Sequence, residues 1–443
     1  MNKKKIQLAI PAVIGTLWLS GCGESDSVVK SREDQAEPVT LKFYQHVLLP
    51  DDYYKKVFEE PIKKKFPNVT LELVKKTNLN WRYDLDPDIH EKLADGSFPD
   101  LIYTSSWHTH FFKNVDVPLD LRTLVKENRY NLDTFVPQSI EAIKKNGDNG
   151  ELYGIPFTMN HAALFYNKDL FDKFAVAYPR DGITWDEVIE LSRKLTRKEG
   201  DVQYYGTKFY GTLLAESFPL PYFNPSTGKA DFRTDGWKKM MQFVKTLHEI
   251  PATRDYKGII KDNFAKNQIL AMAPENIDFI NALEALRKEG AGLNWDVVSY
   301  PNHHEVPGVA RTVDVHNLMI SKASKHQELA FQIISFLTNE ENQLLANRNG
   351  RLSSLKGDIF QETFGSEIEV LKGKNIKGIF KNTPAPLPPI SPYNYIATSE
   401  LSTASNKVAG GTADINTALR EAEEATDKRI EAAKSGNKTN KAY

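Results

Sequence analysis

The chain has 443 residues, 40% of them apolar, 11% aromatic and 26% charged, and one cysteine. By length alone it is about three folded units rather than one core. The 57 basic and 58 acidic residues give a formal charge of −1, which argues against a strongly basic nucleic-acid binder, and a single cysteine excludes an intrachain disulfide, a multi-cysteine zinc site and an iron–sulfur cluster.

The N-terminus carries Lys3, Lys4 and Lys5 ahead of a mostly apolar run over 6–19 (IQLAIPAVIGTLWL). Fourteen residues interrupted by Pro11 and Gly15 are too few for a stable span of a ~30 Å hydrocarbon layer, so the segment reads as a secretory signal. Leu19-Ser20-Gly21-Cys22 follows directly and resembles a bacterial lipobox. That resemblance implies cleavage after residue 21, diacylglyceryl modification of the Cys22 thiol and a lipid anchor in the membrane. An ordinary signal with a stray cysteine is the alternative. Loss of residues 1–21 removes three lysines and no acid, leaving 54 basic against 58 acidic residues and a charge of −4. Residues 22–37 are polar and charged and read as a flexible tether.

Val39, Leu41 and Phe43 alternate with Thr40 and Lys42, a period-two strand. Tyr54, Val57, Phe58, Ile62 and Phe66 share a helical face that Pro61 kinks or restarts. Val69, Leu71 and Leu73 alternate again, so strand–helix–strand predicts a right-handed crossover and a parallel pair. A short buried strand is expected over 98–103. Thr184-Trp185-Asp186-Glu187 reads as a capping box opening a helix with Val188, Leu191 and Leu195 inward. Further amphipathic helices are expected over 328–338 and 414–434, the latter with Glu424–Lys428 as an i,i+4 pair. The proline-rich run 384–389 reads as an extended spacer. The class is α/β. Gly-x-Ser-x-Gly, His-Glu-x-x-His and Gly-x-x-x-x-Gly-Lys are absent from the sequence.

Several segments, in order over about residues 40–435, resemble one family. They are Phe66-Pro67-Asn68-Val69, Gly96-Ser97-Phe98-Pro99-Asp100-Leu101-Ile102, Gly150-Glu151-Leu152-Tyr153-Gly154-Ile155-Pro156 and Tyr166-Asn167-Lys168-Asp169-Leu170-Phe171. Thr184–Glu187, Ala271-Met272 and Glu328-Leu329-Ala330-Phe331 with Phe336-Leu337-Thr338 continue the series. Together they are similar to family 1 of the extracellular solute-binding proteins of ATP-binding-cassette importers, the maltose-binding-protein-like group. The resemblance implies a type II periplasmic-binding-protein-like fold, two α/β lobes with a hinge and an interlobe ligand cleft. It implies residues 38–158 and 307–352 in lobe one, and 159–306 and 353–443 in lobe two, the last with the C-terminal helices. Pro156, Pro307 and Gly308 stand as hinge neighbours. The implied activity is capture of a carbohydrate, an oligosaccharide above all, by lobe closure and its delivery to permease subunits. No cofactor, catalysis or nucleic-acid partner is implied, and the receptor is expected to be a monomer on the extracytoplasmic face of the membrane. A non-sugar solute, a secreted carbohydrate-active enzyme and a surface sensor are the alternatives.

Such a receptor needs a concave site with a few polar groups and aromatic faces. Trp107, in the loop after the 98–103 strand, is a candidate stacking platform, the alternative being an ordinary packed tryptophan. His108 beside it is a contact candidate; a metal pair with His110 is disfavoured and no metal is expected. Tyr44 and His46 end the first strand and face either the cleft or the lobe surface. Asn160 precedes the Tyr166 motif, where the family contacts ligand. Glu275 and Asn276 follow the Ala271-Met272 strand, but Asp278 and Phe279 stand where relatives often carry a tryptophan. Asp314 and His316 lie in the return strand, at the cleft edge or simply satisfied within the sheet. The aromatic-dense stretch 203–224 offers Tyr210, Glu216 and Tyr222 as ligand contacts or, alternatively, as packing. Tyr393 and Tyr395 match a region that supplies an aromatic contact in the family.

Overall fold

The computed structural model describes residues 37–75, 92–208, 218, 220–250 and 252–435, with the side chain of Arg254 excepted. The signal segment, Cys22 and the tether up to residue 36 lie outside the described residues, as do Tyr210 and Glu216. From Val39 on, the described residues form one unit by their contacts and are built on two five-stranded sheets.

The first sheet has the order β2-β1-β3-β11-β4, with β1 Val39–Gln45, β2 Val69–Lys75, β3 Leu101–Ser105, β4 Ile155–Asn160 and β11 Asp314–Ile320. β1 runs parallel to both β2 and β3, in register from Val39 opposite Val69 to Gln45 opposite Lys75. β11 returns antiparallel between β3 and β4. The crossover from β1 to β2 is helix α1 (51–65), which contains a π-helical turn at Lys55–Glu59 before resuming at Glu60 with Pro61 in its first turn. Proline has no N–H to give the preceding turn, and the wider turn absorbs the missing donor. The expected 98–103 strand is displaced: it begins at Leu101, since Pro99 cannot join the ladder. Phe43 of β1 packs against Tyr54 and Phe58 of α1, and Phe58 against Phe157 of β4.

The second sheet has the order β6-β7-β8-β5-β9, with β5 Ala162–Asn167, β6 Arg197–Glu199, β7 Val202–Thr207, β8 Leu270–Asn276 and β9 Trp295–Ser299. All six residues of β5 are buried, as expected for a strand covered on both faces. One face carries Phe165 and Trp295 beneath helix α5 Phe279–Lys288. The other carries Leu164 and Met272 beneath α3 Trp185–Leu195 and α4 Asp235–His248. The capping box forms: Thr184 Oγ1 accepts from the Glu187 N–H at 3.3 Å and the Glu187 carboxylate accepts from the Thr184 N–H at 2.7 Å. The C-terminal helices α8 Asn394–Gly410 and α9 Ile415–Lys434 turn about Gly411 (φ 71°) and join this core through Leu401 and Leu419. Glu424 pairs with Arg420 rather than with Lys428, one helical turn in the other direction.

The chain passes between sheets several times. Asn160 still pairs with Asp314, and Ala162 already pairs with Asn276, so His161 alone makes the first passage. The second runs through β10 Val309–Thr312, which pairs with β12 Thr383–Ala385, and Val313. Met159 N–H donates to Leu352 O at 2.8 Å and Val136 N–H to Ser354 O at 2.8 Å, so this segment stays on the first sheet. Asn347 of helix α7 Glu340–Arg348 then holds the Phe360 carbonyl at 2.9 Å. Further on, the Val370 N–H donates to the Glu284 carboxylate of the second lobe at 3.0 Å. Among the described residues no helix is long and apolar enough to cross a membrane.

Candidate functional site

The carboxyl ends of β1, β3, β4 and β8 and the start of β11 converge where the chain changes sheets. On the first lobe, Ser105 Oγ donates to Asp314 Oδ1 at 2.5 Å, and Asp314 Oδ2 lies 3.4 Å from His316 Nε2. His316 Nδ1 and the Tyr103 hydroxyl are 2.9 Å apart. Ser105, at the end of β3, faces His316 across the ladder, which is why a strand end and a return strand share one network. Burial raises the Asp314 carboxyl, but the His316 ring and the Ser105 hydroxyl outweigh it and hold it down at about 2.

The second lobe contributes Glu275 and Asn276 at the end of β8, and Asp278 after it. Asn160 Oδ1 accepts from the Asp278 N–H at 3.3 Å, so the last residue of β4 touches the second lobe directly. Arg311 of β10 donates from Nη1 to Asn276 Oδ1 at 3.1 Å. Burial, with Asp278 adding to it and Arg311 opposing, pushes the Glu275 carboxyl up to about 7. Arg351, from the segment after α7, reaches the same place: Nη1 stands 3.8 Å from Asp278 Oδ2, and the guanidinium lies 5.9 Å from the Tyr53 ring centre. Asp278 of the second lobe therefore meets two first-lobe side chains, Asn160 at its backbone N–H and Arg351 beside its carboxylate. This grouping offers charged donors and acceptors, matched to a polyol or other polar solute.

Of the sequence candidates, Asn160, Glu275, Asn276, Asp314 and His316 come together here. Trp107 and His108 lie half-buried in the turn after β3, the Trp107 N–H bonded to Ser105 Oγ at 3.1 Å. His46 is buried rather than on the lobe surface, with Nδ1 2.8 Å from Thr104 Oγ1 and its ring 5.1 Å from that of His108. Tyr44 is not brought to the site. Alternation along β1 turns it to the opposite face from Phe43, where Ile102, Phe112 and Met319 cover it. The face is closed by helix α2 Thr109–Asn114, which carries Phe112. Tyr222 is also placed elsewhere, in the second core with its ring 5.6 Å from that of Trp237. Tyr393 caps α8 with Lys434 Nζ 5.6 Å from its ring centre, and Tyr395 is half-buried in the first turn of that helix. Arg311, Arg351, Tyr53 and Tyr103 were not among the sequence candidates. Only Gly350-Arg351, a cation set between a helix end and apolar Leu352, carried a visible signal.

A cavity of about 230 Å³ lies beside the passages, lined by Met159, His161, Val313, Ser353 and Phe380 among others. Burial holds the His161 imidazole down at about 4, although the Ile379 carbonyl bonds to it. Burial likewise holds His110, behind the Trp107 turn, at about 4. Among the described residues no three His, Cys, Asp or Glu side chains assemble into a metal-ion set.

Two sheets joined by repeated passages, with polar strand ends meeting where the chain changes sheets, define the two-lobed class of binding-protein fold. Residues 50–344 match the family described as bacterial extracellular solute-binding protein, and the chain belongs to that family. Among curated relatives, the arabinooligosaccharide-binding protein of Bacillus subtilis is 26% identical over 372 residues, 77% of each chain. The galactooligosaccharide-binding protein of the same organism is 25% identical over 339 residues, 71% of this chain and 74% of that one. Among solved structures, an ABC substrate-binding protein from Listeria monocytogenes in complex with cycloalternan superposes with a TM-score of 0.72 at 19% identity. It covers 88% of this chain and 99% of that one. The sugar-binding protein MalE of Xanthomonas citri gives 0.66 at 17% identity, covering 90% and 100%. The fold is thus the type II periplasmic-binding-protein fold, and the chain is a solute-binding component of ABC import.

Proposed function

We propose that this protein captures an oligosaccharide between its lobes and delivers it to the permease subunits of an importer. The observation that carries this reading is the junction itself, where Asn160 and Arg351 from one side meet Asp278 from the other. Hydroxyl-rich solutes satisfy such alternating donors and acceptors, and a solute that touches both sides favours the closed form. The two Bacillus relatives, named for arabino- and galacto-oligosaccharides, support the carbohydrate class. We read the chain as a receptor rather than an enzyme: Ser105 donates to Asp314, whose carboxyl at about 2 is too weak a base to activate it. Cys22 is the proposed lipid attachment, holding a monomer at the outer face of the membrane through residues 22–37.

Calorimetry with a panel of mono- and oligosaccharides tests the reading. Heat with at least one oligosaccharide is expected, with a smaller radius of gyration by small-angle scattering at saturation. Heat with a polyamine or a metal ion and none with any sugar would overturn it.

A further inference from the structure

The sequence holds three Asn-Gly pairs, Asn146-Gly147, Asn149-Gly150 and Asn349-Gly350. In such a pair the glycine nitrogen can attack the asparagine side-chain carbonyl, because glycine has no Cβ to crowd the approach and its backbone turns freely. The attack needs a mobile, accessible side chain and a glycine N–H that no other acceptor holds. Two of the pairs are locked. Asn146 and Asn349 are 4% and 9% exposed, each just past the end of a helix, Pro137–Lys144 and α7 respectively. Asn146 Nδ2 donates to Ser106 O at 3.0 Å, and the Gly147 N–H to Lys144 O at 3.0 Å. Asn349 Nδ2 donates to Leu345 O at 2.8 Å, and the Gly350 N–H to Asn347 O at 3.1 Å. Breaking these bonds inside the fold leaves buried carbonyls without their donors.

Asn149-Gly150 differs on each count. Both residues are exposed, in the irregular segment that leads to β4. The Gly150 N–H has no acceptor among the described residues. The bonds that Asn149 makes are local and at the surface. Its N–H donates to Glu151 Oε2 at 2.7 Å, its Nδ2 to Glu151 Oε1 at 3.3 Å, and its carbonyl accepts from Arg122 Nη1 at 3.2 Å. Water replaces exposed hydrogen bonds of this kind at little net cost, so the side chain can turn toward the Gly150 nitrogen without opening the core.

We propose that Asn149 is a site of spontaneous deamidation, selected by the fold from the three Asn-Gly pairs and converted to a mixture of aspartate and isoaspartate. The Gly150 N–H loses its proton to hydroxide, and the nitrogen bonds to Asn149 Cγ. The Cγ–Nδ2 bond breaks, and Nδ2 takes a proton from water and leaves as ammonia, which restores the hydroxide. A second water opens the five-membered imide at either carbonyl, and nothing is oxidised or reduced. The product sets a new carboxylate where an amide now donates to Glu151. Ageing the full folded chain at pH 7 and pH 9, followed by peptide mapping with mass spectrometry, tests this. Asn149 is expected to convert at least ten-fold faster than Asn146 or Asn349, and faster at pH 9 than at pH 7. The aged chain should gain an anion-exchange peak that co-elutes with Asn149→Asp. In urea the three pairs should convert at similar rates, since burial no longer separates them. Asn149 left intact in the folded chain, or converted no faster than the two buried asparagines, overturns the inference. A ten-fold lead of Asn149 that persists in urea refutes selection by the fold, and a rate that does not rise at pH 9 refutes the hydroxide step. The oligosaccharide reading is independent of each of these results.

Discussion

Replacing Asp314 by asparagine keeps the size of the side chain and removes its charge from the Ser105–Asp314–His316–Tyr103 network. The carboxyl sits at about 2 instead of 3.8 because His316 and Ser105 favour its charged form over the opposing effect of burial. At 1.36 kcal/mol per pH unit this displacement is about 2.5 kcal/mol. A carboxyl lowered on folding contributes stability that is complete above its unfolded value near 4 and is lost as pH falls through its folded value near 2. Asp314→Asn is therefore expected to cost about 2 kcal/mol at pH 7 and roughly half of that at pH 3. Urea unfolding of both proteins at the two pH values, followed by tryptophan fluorescence, measures the difference directly. A cost at pH 3 as large as that at pH 7 would show that packing, not charge, accounts for the residue, and would refute the electrostatic reading.

Gly206→Ala places a Cβ 2.3 Å from the Ser192 Cα, forcing α3 off β7. A loss of roughly 1–3 kcal/mol and a lower melting temperature are expected, whereas Gly410→Ala, with open space around the new Cβ, should be neutral or slightly stabilising by calorimetric melt. Glu275 holds its proton to about 7 when folded but to about 4.5 when unfolded. Wild-type stability should fall by about 3 kcal/mol as pH rises across that window. Glu275→Gln should remove that component of the slope, and an unchanged slope in a melt series from pH 4 to 8 would count against the assigned burial.

Local features were legible in the sequence. The capping box at Thr184, the α1 crossover and the helices over 185–195 and 415–434 each follow from residues within one or two turns of each other. The family motifs carried the two-lobed fold and drew attention to Asn160, Glu275 and Asp314. Contacts that depend on distant pairing were not legible. Arg351 reaches Asp278 and Tyr53 across stretches of 73 and 298 residues, and no periodicity marks it. Tyr44 shows the converse limit. Alternation along β1 gives its face correctly, but only the structure shows that α2 covers that face. Glu424 had two basic residues at helical spacing, and spacing alone did not choose Arg420 over Lys428.

The position of β11 bears on when the protein folds as it is made. Its ladder lies between β3 and β4, yet its residues begin at Asp314. A nascent chain shorter than this has β3 and β4 with no strand to join them, so the first sheet stays open at its middle through most of synthesis. Long-range strand pairing of this kind is slow to form. A chain bound for export must remain extended enough to thread a translocon, and here the strand order itself delays closure of the first lobe until most of the polypeptide has emerged.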